Sequence, residues 1–239
     1  MNAGFMPEGL PDFSDGFDVY AGWEITRKGD NSLTPEQNRL LAYGAPLFLY
    51  NDDNVDSLES TAGTDTLKEM LEEWWEVTDR KSALETISWL LNEGQHAGAD
   101  PALAEIRQRG IEAITEEEKA DEDSKIGDAF TIAEFVMEVN ETTEADLPET
   151  VLAWDLVRAV NMARWAFICG YINEDEMWEA IRTTAGIAKE SFSSWEEYGN
   201  SFAVGRGIWR GETDDYETAD EVVGALLNKE DSPWKAIEW

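Results

Sequence analysis

From residue 34 onward, apolar and polar positions follow a helical period. Thr34-Pro35-Glu36-Gln37 reads as an N-cap, a proline at the first helical position and a polar first turn. The pattern continues through Leu40, Leu41, Tyr43 and Leu47, with Pro46 expected to kink the helix or end its regular part. Leu67, Met70, Leu71, Trp74 and Trp75 form a second apolar stripe, backed by Glu69, Glu72, Glu73 and Glu76. Asp79 is placed to cap a helix with Ala83, Ile87, Leu90 and Leu91 on its core face, and Gly94 marks its end. Phe130, Ile132, Phe135, Val136 and Val139 predict an amphipathic helix.

Residues 150–170 form the most apolar helix, with Trp154, Leu156, Val157, Val160, Trp165 and Phe167, ending at Gly170. Asn173 and Glu176 make a capping-box pair for the next helix, at roughly 174–190. Ser193 or Ser194, with Glu196 or Glu197 three residues on, starts a third. There Trp195, Tyr198, Phe202 and Trp209 share one stripe.

The first 33 residues hold five Gly and two Pro and lack helical period. Alternation of Phe17, Val19, Trp23 and Ile25 fits a short strand or hairpin. There is no βαβ alternation and no fixed repeat. The expected fold is all-α, a compact multi-helix domain with antiparallel or orthogonal packing. Its expected division is an irregular segment 1–33, a helical domain 34–211 and a C-terminal extension 212–239 packed on that domain. Residues 112–146 carry 13 acids and two Lys, a net of −11, so 112–128 reads as a solvated acidic insert.

Charge changes the picture most. Asp and Glu number 52 against 18 Lys and Arg, a net of −34 over 239 residues. Such a field repels phosphate backbones and anionic lipid, so no nucleic-acid and no membrane partner is expected. No signal peptide or apolar span is visible, and a cytoplasmic protein is expected. A single Cys and a single His exclude an internal disulfide and a multi-histidine metal site. Neither a cofactor nor a metal site is expected.

Motifs for known chemistry fail on inspection. Asp52-Asp53-Asn54-Val55-Asp56 starts like a calcium loop, but Ser57 and Gly63 stand where glycine and glutamate are needed, so a solvated acidic loop is expected. Gly205, Gly207 and Gly211 lack the dinucleotide spacing. Cys169 lies in an apolar run typical of an inert thiol, which argues against a dyad with His96. His96 follows Gly94 at a helix end, where capping or a dipole role is expected. The scarce basic residues say more. Asp155 and Arg158, three apart on an apolar helix, are placed to pair. With Arg164, Glu176 and Arg206 they form a candidate polar cluster, either a structural network or the floor of an anion-binding cleft, and His96 is a weaker candidate.

Several of these segments resemble one family. They are Leu71–Trp75, Leu84–His96, the Trp154-Asp155-x-x-Arg158 motif, Gly170–Trp178, Ser194–Tyr198 and Gly205-Arg206-x-x-Trp209. Together they resemble the bacterial domain of unknown function 1266 family, over about residues 65–211. The resemblance implies a helical domain and carries no activity across.

Two functions remain open. A protein-binding or adaptor module, in the manner of immunity proteins, would use the acidic field to capture a basic partner. The alternative is an enzyme or small anionic-ligand binder, with a pocket between the C-terminal helices where Arg158, Arg164 and Arg206 hold the anion. The enzyme reading is the weaker one, for want of a nucleophile. Adaptation of a whole proteome to salt would also explain the acidity.

Overall fold

The computed structural model describes Tyr20 and residues 22–239, Glu122 excepted. Among the described residues the chain is all-α, with no strand. Thr34 opens the helical part. Its hydroxyl accepts from the Gln37 N–H, and the Gln37 side chain accepts from the Thr34 N–H. Helix α1 (Pro35–Leu41) passes through a 3-10 turn into α2 (Ala45–Tyr50). Pro46 therefore sits in the first turn of a new helix, where its missing N–H has no partner to lose. It starts a helix instead of kinking one.

Next come α3 (Thr64–Trp75) and α4 (Arg80–Asn92), the latter capped by Asp79. Helix α5 (His96–Arg109) lies where the sequence pattern names no helix. It holds Pro101 in its first turns and buries a stripe of small and medium residues, Ala99, Ala102, Leu103 and Ile106. The short α6 (Glu116–Lys119) precedes α7 (Ile126–Asn140), which buries Ile132 and Val136. Then follow α8 (Leu152–Ile168), α9 (Glu174–Ser191), α10 (Trp195–Arg210), α11 (Thr213–Asn228) and α12 (Pro233–Ala236). No described helix is long and apolar enough to cross a membrane.

Helix α8 is the axis of the core. Every residue from Ala153 to Ala166 is buried, and α4, α9 and α10 pack around it. A helix buried on all sides is expected to be apolar all round. This one nevertheless buries Asp155, Arg158, Asn161 and Arg164.

Close approach of α10 to α8 depends on Gly205, where a Cβ would stand 2.7 Å from the Trp154 Cβ. Residues from the C-terminal end complete a second aromatic nest. Trp195 stacks on Trp234 at 5.0 Å and meets Trp239 edge-on at 4.7 Å. The Tyr198 hydroxyl donates to the Tyr43 carbonyl at 2.9 Å, and Trp234 Nε1 donates to the Ala42 carbonyl at 2.8 Å. Much of the high tryptophan content is core.

Two further sequence expectations need correction. Trp23 and Ile25 lie in irregular chain, not in a strand, while Phe17 and Val19 fall outside the described residues. Side-chain anchors replace a sheet ladder there: Trp23 stacks on Tyr50 and donates from Nε1 to Glu221 at 3.1 Å. The loop at 51–63 is not a solvated acidic loop. Asp53, Asn54, Val55 and Ser57 are buried within it, because Asp53 is the counter-ion of Arg164.

Candidate functional site

Helix α4 ends at Asn92, and Gly94, at φ +51°, turns the chain straight into α5. A Cβ on Gly94 would stand 2.4 Å from the Asp155 carboxylate, so glycine is what lets the backbone close on that group. Asp155 is fully buried on α8. Its carboxylate accepts from the Gln95 N–H at 2.9 Å, the His96 N–H at 2.8 Å, His96 Nδ1 at 2.8 Å and the Arg158 guanidinium. Asp155 thus caps the N-terminus of α5 from a neighbouring helix.

Asp100 returns the arrangement. From α5 it accepts from the Val151 N–H at 2.8 Å and the Thr150 hydroxyl at 2.6 Å, at the start of α8. Two helices cap each other through carboxylates, Asp155 fully buried and Asp100 half-buried.

These contacts set the protonation states. The hydrogen bond to Asp155 raises the His96 pKa above its ordinary 6.5, with burial opposing and the charges of Asp155 and Asp100 assisting. Burial pulls the Asp155 carboxyl upward, but the His96 bond, the Arg158 charge and two backbone N–H groups outweigh it and hold it below 3.8. Asp100 moves the other way, because burial exceeds the help from Thr150 and Val151.

Because a carboxylate only accepts, His96 Nδ1 carries the proton, and Nε2 has no partner among the described residues. In its neutral form the ring offers Nε2 as a proton acceptor. Cys169 is the C-cap of α8, about 21 Å along the helix from Asp155 by the rise per residue. That thiol is buried and its pKa raised by burial, so no Cys169–His96 dyad forms. Among the described residues no three His, Cys, Asp or Glu side chains gather as a metal would require.

The sequence-derived cluster divides into separate places. Arg158 and Arg206 meet across one ring, lying 4.5 and 5.5 Å from the Trp154 centroid. Arg158 also faces Trp75 and Trp89, at 5.6 and 6.0 Å, and Arg206 stacks on Tyr50 at 4.3 Å. Trp75, Trp89, Trp154 and Tyr50 thus surround two guanidiniums, with Trp154 and Arg158 buried and Trp89 reaching the surface. Arg206 pairs with Asp215 at 2.7 Å and donates to the Tyr50 hydroxyl at 2.8 Å.

Arg164 and Glu176 stand apart from that ladder. Arg164 is fully buried, paired with Asp53 at 3.0 Å and donating to the Glu59 carbonyl at 2.6 Å. Glu176 closes the capping box with Asn173 and accepts from Arg80 Nε at 2.8 Å. Two surface hollows lie elsewhere. One of about 340 Å³ is lined by Tyr20 and Asn228, and one of about 840 Å³ lies beside Lys119 and Phe130. Neither is lined by Arg158, Arg164 or Arg206.

Residues 70–239 match the family described as "Protein of unknown function (DUF1266)". The chain belongs to this family. No curated protein and no solved structure matches it. The match continues through 212–239, beyond the motifs recognised in the sequence, and so takes in the aromatic nest around Trp234. Asp155, His96 and both arginines over Trp154 lie inside the matched part, whereas Asp53 and Tyr50 precede it. The sequence reading passed over Asp53, Asp100 and Trp89. Trp89 lay inside a segment resembling the family, and Asp53 was named only within a loop expected to be solvated.

Proposed function

We propose that the protein is a binding module whose acidic surface receives a basic protein partner. One observation carries this reading: the guanidiniums of Arg158, Arg164 and Arg206 find carboxylate partners inside the fold, and unpaired carboxylates remain on the outside. Arg158, Arg164 and Arg206 pair with Asp155, Asp53 and Asp215. Glu69, Glu72 and Glu73 on α3 and Glu76 at its C-cap, by contrast, are exposed and have no cationic partner among the described residues. A net charge of −34 speeds encounter with a basic surface and makes association salt-sensitive. Neutralisation of a basic protein, as immunity proteins achieve it, belongs to this class.

The test is capture by the tagged protein from its own host at low salt, followed by purification of the captured protein and calorimetric titration across a salt series. The expected result is one basic partner whose affinity falls steeply as salt rises. Affinity independent of salt, or no basic protein recovered, overturns the reading.

A further inference from the structure

His96 is the one histidine of the chain, and its ring is held from one side only. Asp155 accepts the Nδ1 hydrogen at 2.8 Å, which fixes the tautomer and leaves the lone pair of the neutral ring on Nε2. Nε2 has no partner among the described residues. The side-chain polar atoms sealed there without a partner belong instead to Arg107, Trp154, Asn161, Arg164 and Arg206. The 18% of the His96 side chain that meets solvent therefore includes Nε2.

The carboxylate behind the ring is equally well defined. Asp155 is fully buried, yet Arg158 on its other oxygen and the Gln95 and His96 N–H groups keep it ionised. The remaining charge felt at the ring is Asp100, one turn further along α5. When an electrophile bonds to Nε2 of a neutral imidazole, Nδ1 keeps its proton and the ring becomes a cation. Here that cation forms against a fixed carboxylate withdrawn from water, where the attraction is stronger than in solvent. The same contact makes the ring more basic, and a more basic nitrogen attacks more readily once it is neutral.

We propose that His96 is an acyl-acceptor site, at which Nε2 takes the acyl group of an uncharged activated ester and passes it to water, with Asp155 as the positioning residue. Nε2 attacks the carbonyl carbon, a C–N bond forms, and the ester C–O bond breaks with the leaving group departing as its anion. Water then adds to the acyl-imidazolium and the C–N bond breaks. A carboxylic acid and one proton are released to solvent, and neutral His96 returns. The net charge of −34 holds anionic acyl donors away, which limits the substrate class to esters without negative charge. This activity goes beyond the basic-partner reading and does not depend on it.

The test offers p-nitrophenyl acetate to the full chain across a pH series, following nitrophenolate release and examining acid-quenched protein by mass spectrometry. With one histidine in the chain, an acetyl group on imidazole reports His96 alone. The expected result is continued turnover with a short-lived acetyl on the His96 peptide, at a rate about tenfold or more above free imidazole. His96→Gln should fall to the slow background of lysine acetylation. Asp155→Asn, shown to be folded by its melting curve, should slow the reaction and move its pH midpoint down toward 6.5. Should that variant not fold, wild type unfolded in urea supplies the comparison, and its histidine should react no faster than free imidazole. Equal His96 acetylation in folded and urea-unfolded protein, or a wild-type rate in His96→Gln, overturns the proposal. A stable acetyl on His96 without turnover overturns the transfer to water, and a folded Asp155→Asn with unchanged rate and midpoint overturns the role of Asp155.

Discussion

Helix α8 contributes to two buried aspartate–arginine pairs, and the regions around them differ. Toward its start, Asp155 is surrounded by four donors, two of them backbone N–H groups that open α5. Toward its end, Arg164 reaches out of the helix to Asp53, which orders an irregular loop by accepting from the Thr61 N–H and the Ser60 hydroxyl, both at 2.8 Å. In one case a helix supplies the carboxylate and a neighbouring chain reversal is built around it. In the other a helix supplies the cation and a loop folds onto it. Burying either charge alone would cost several kcal/mol, so each region exists only as a matched set. The Asp155 set includes a titrating imidazole; the Asp53 set does not. One end of α8 should therefore sense pH near neutrality, and the other should respond only to loss of a partner.

The largest expected effect breaks the second region. Arg164→Met leaves Asp53 buried without its cation, and the loss should be about 3–5 kcal/mol in urea unfolding. Adding Asp53→Leu should recover much of that loss, because an apolar pair carries no stranded charge. If the double variant is no better than the single one, the loop depends on more than this pair.

Gly94→Ala tests the first region. It forces alanine into left-handed backbone at about 1–3 kcal/mol and drives a methyl group against the Asp155 carboxylate. Denaturant midpoints should place its cost near that range or above it, and Gly170→Ala is a useful control. Gly170 also has positive φ, but an added Cβ there meets nothing.

His96→Gln is the smaller change that sharpens the comparison, removing roughly 1 kcal/mol where the imidazole is charged. A raised histidine pKa contributes stability that is fully present below 6.5 and is lost as pH rises through the folded value. A lowered aspartate pKa contributes stability present above 3.8 and lost as pH falls through its folded value. The Asp155–His96 contribution should thus be complete between those limits. His96→Gln should flatten the slope above 6.5 and shrink the acid limb without abolishing it, because the Arg158 charge and two backbone N–H groups still hold the Asp155 carboxyl down, as read from melting temperature against pH. An unchanged slope would remove His96 from the account. The smallest effect is expected from Trp74→Ala, which should shift stability by less than about 0.5 kcal/mol because the ring is largely in water.

The sequence made the helices legible where their ends are written locally. Thr34, Asp79, Asn173 and Ser194 cap as their side chains and following residues require, and their N–H partners lie only three residues away. Helix α5 was not legible, because Gly98 and Pro101 dilute its pattern and its start is capped by Asp155 from another helix. Trp74 misled in the opposite direction. Its spacing places it on a core stripe, but periodicity records which way a side chain points and not whether anything stands opposite.

The same division runs through the candidate site. Asp155 and Arg158 are three residues apart on one helix, so their pairing followed from helix geometry alone. Arg164 with Asp53, and Arg206 with Asp215 and Trp154, bring together chain segments that no local rule connects. The sequence by itself determined an all-α chain, its main helices, its acidic surplus and its kinship. Only the tertiary structure decided which carboxylates were consumed by buried guanidiniums and which were left facing water. Local rules act over a few residues, whereas a buried charge must find its counter-ion wherever the fold has placed one.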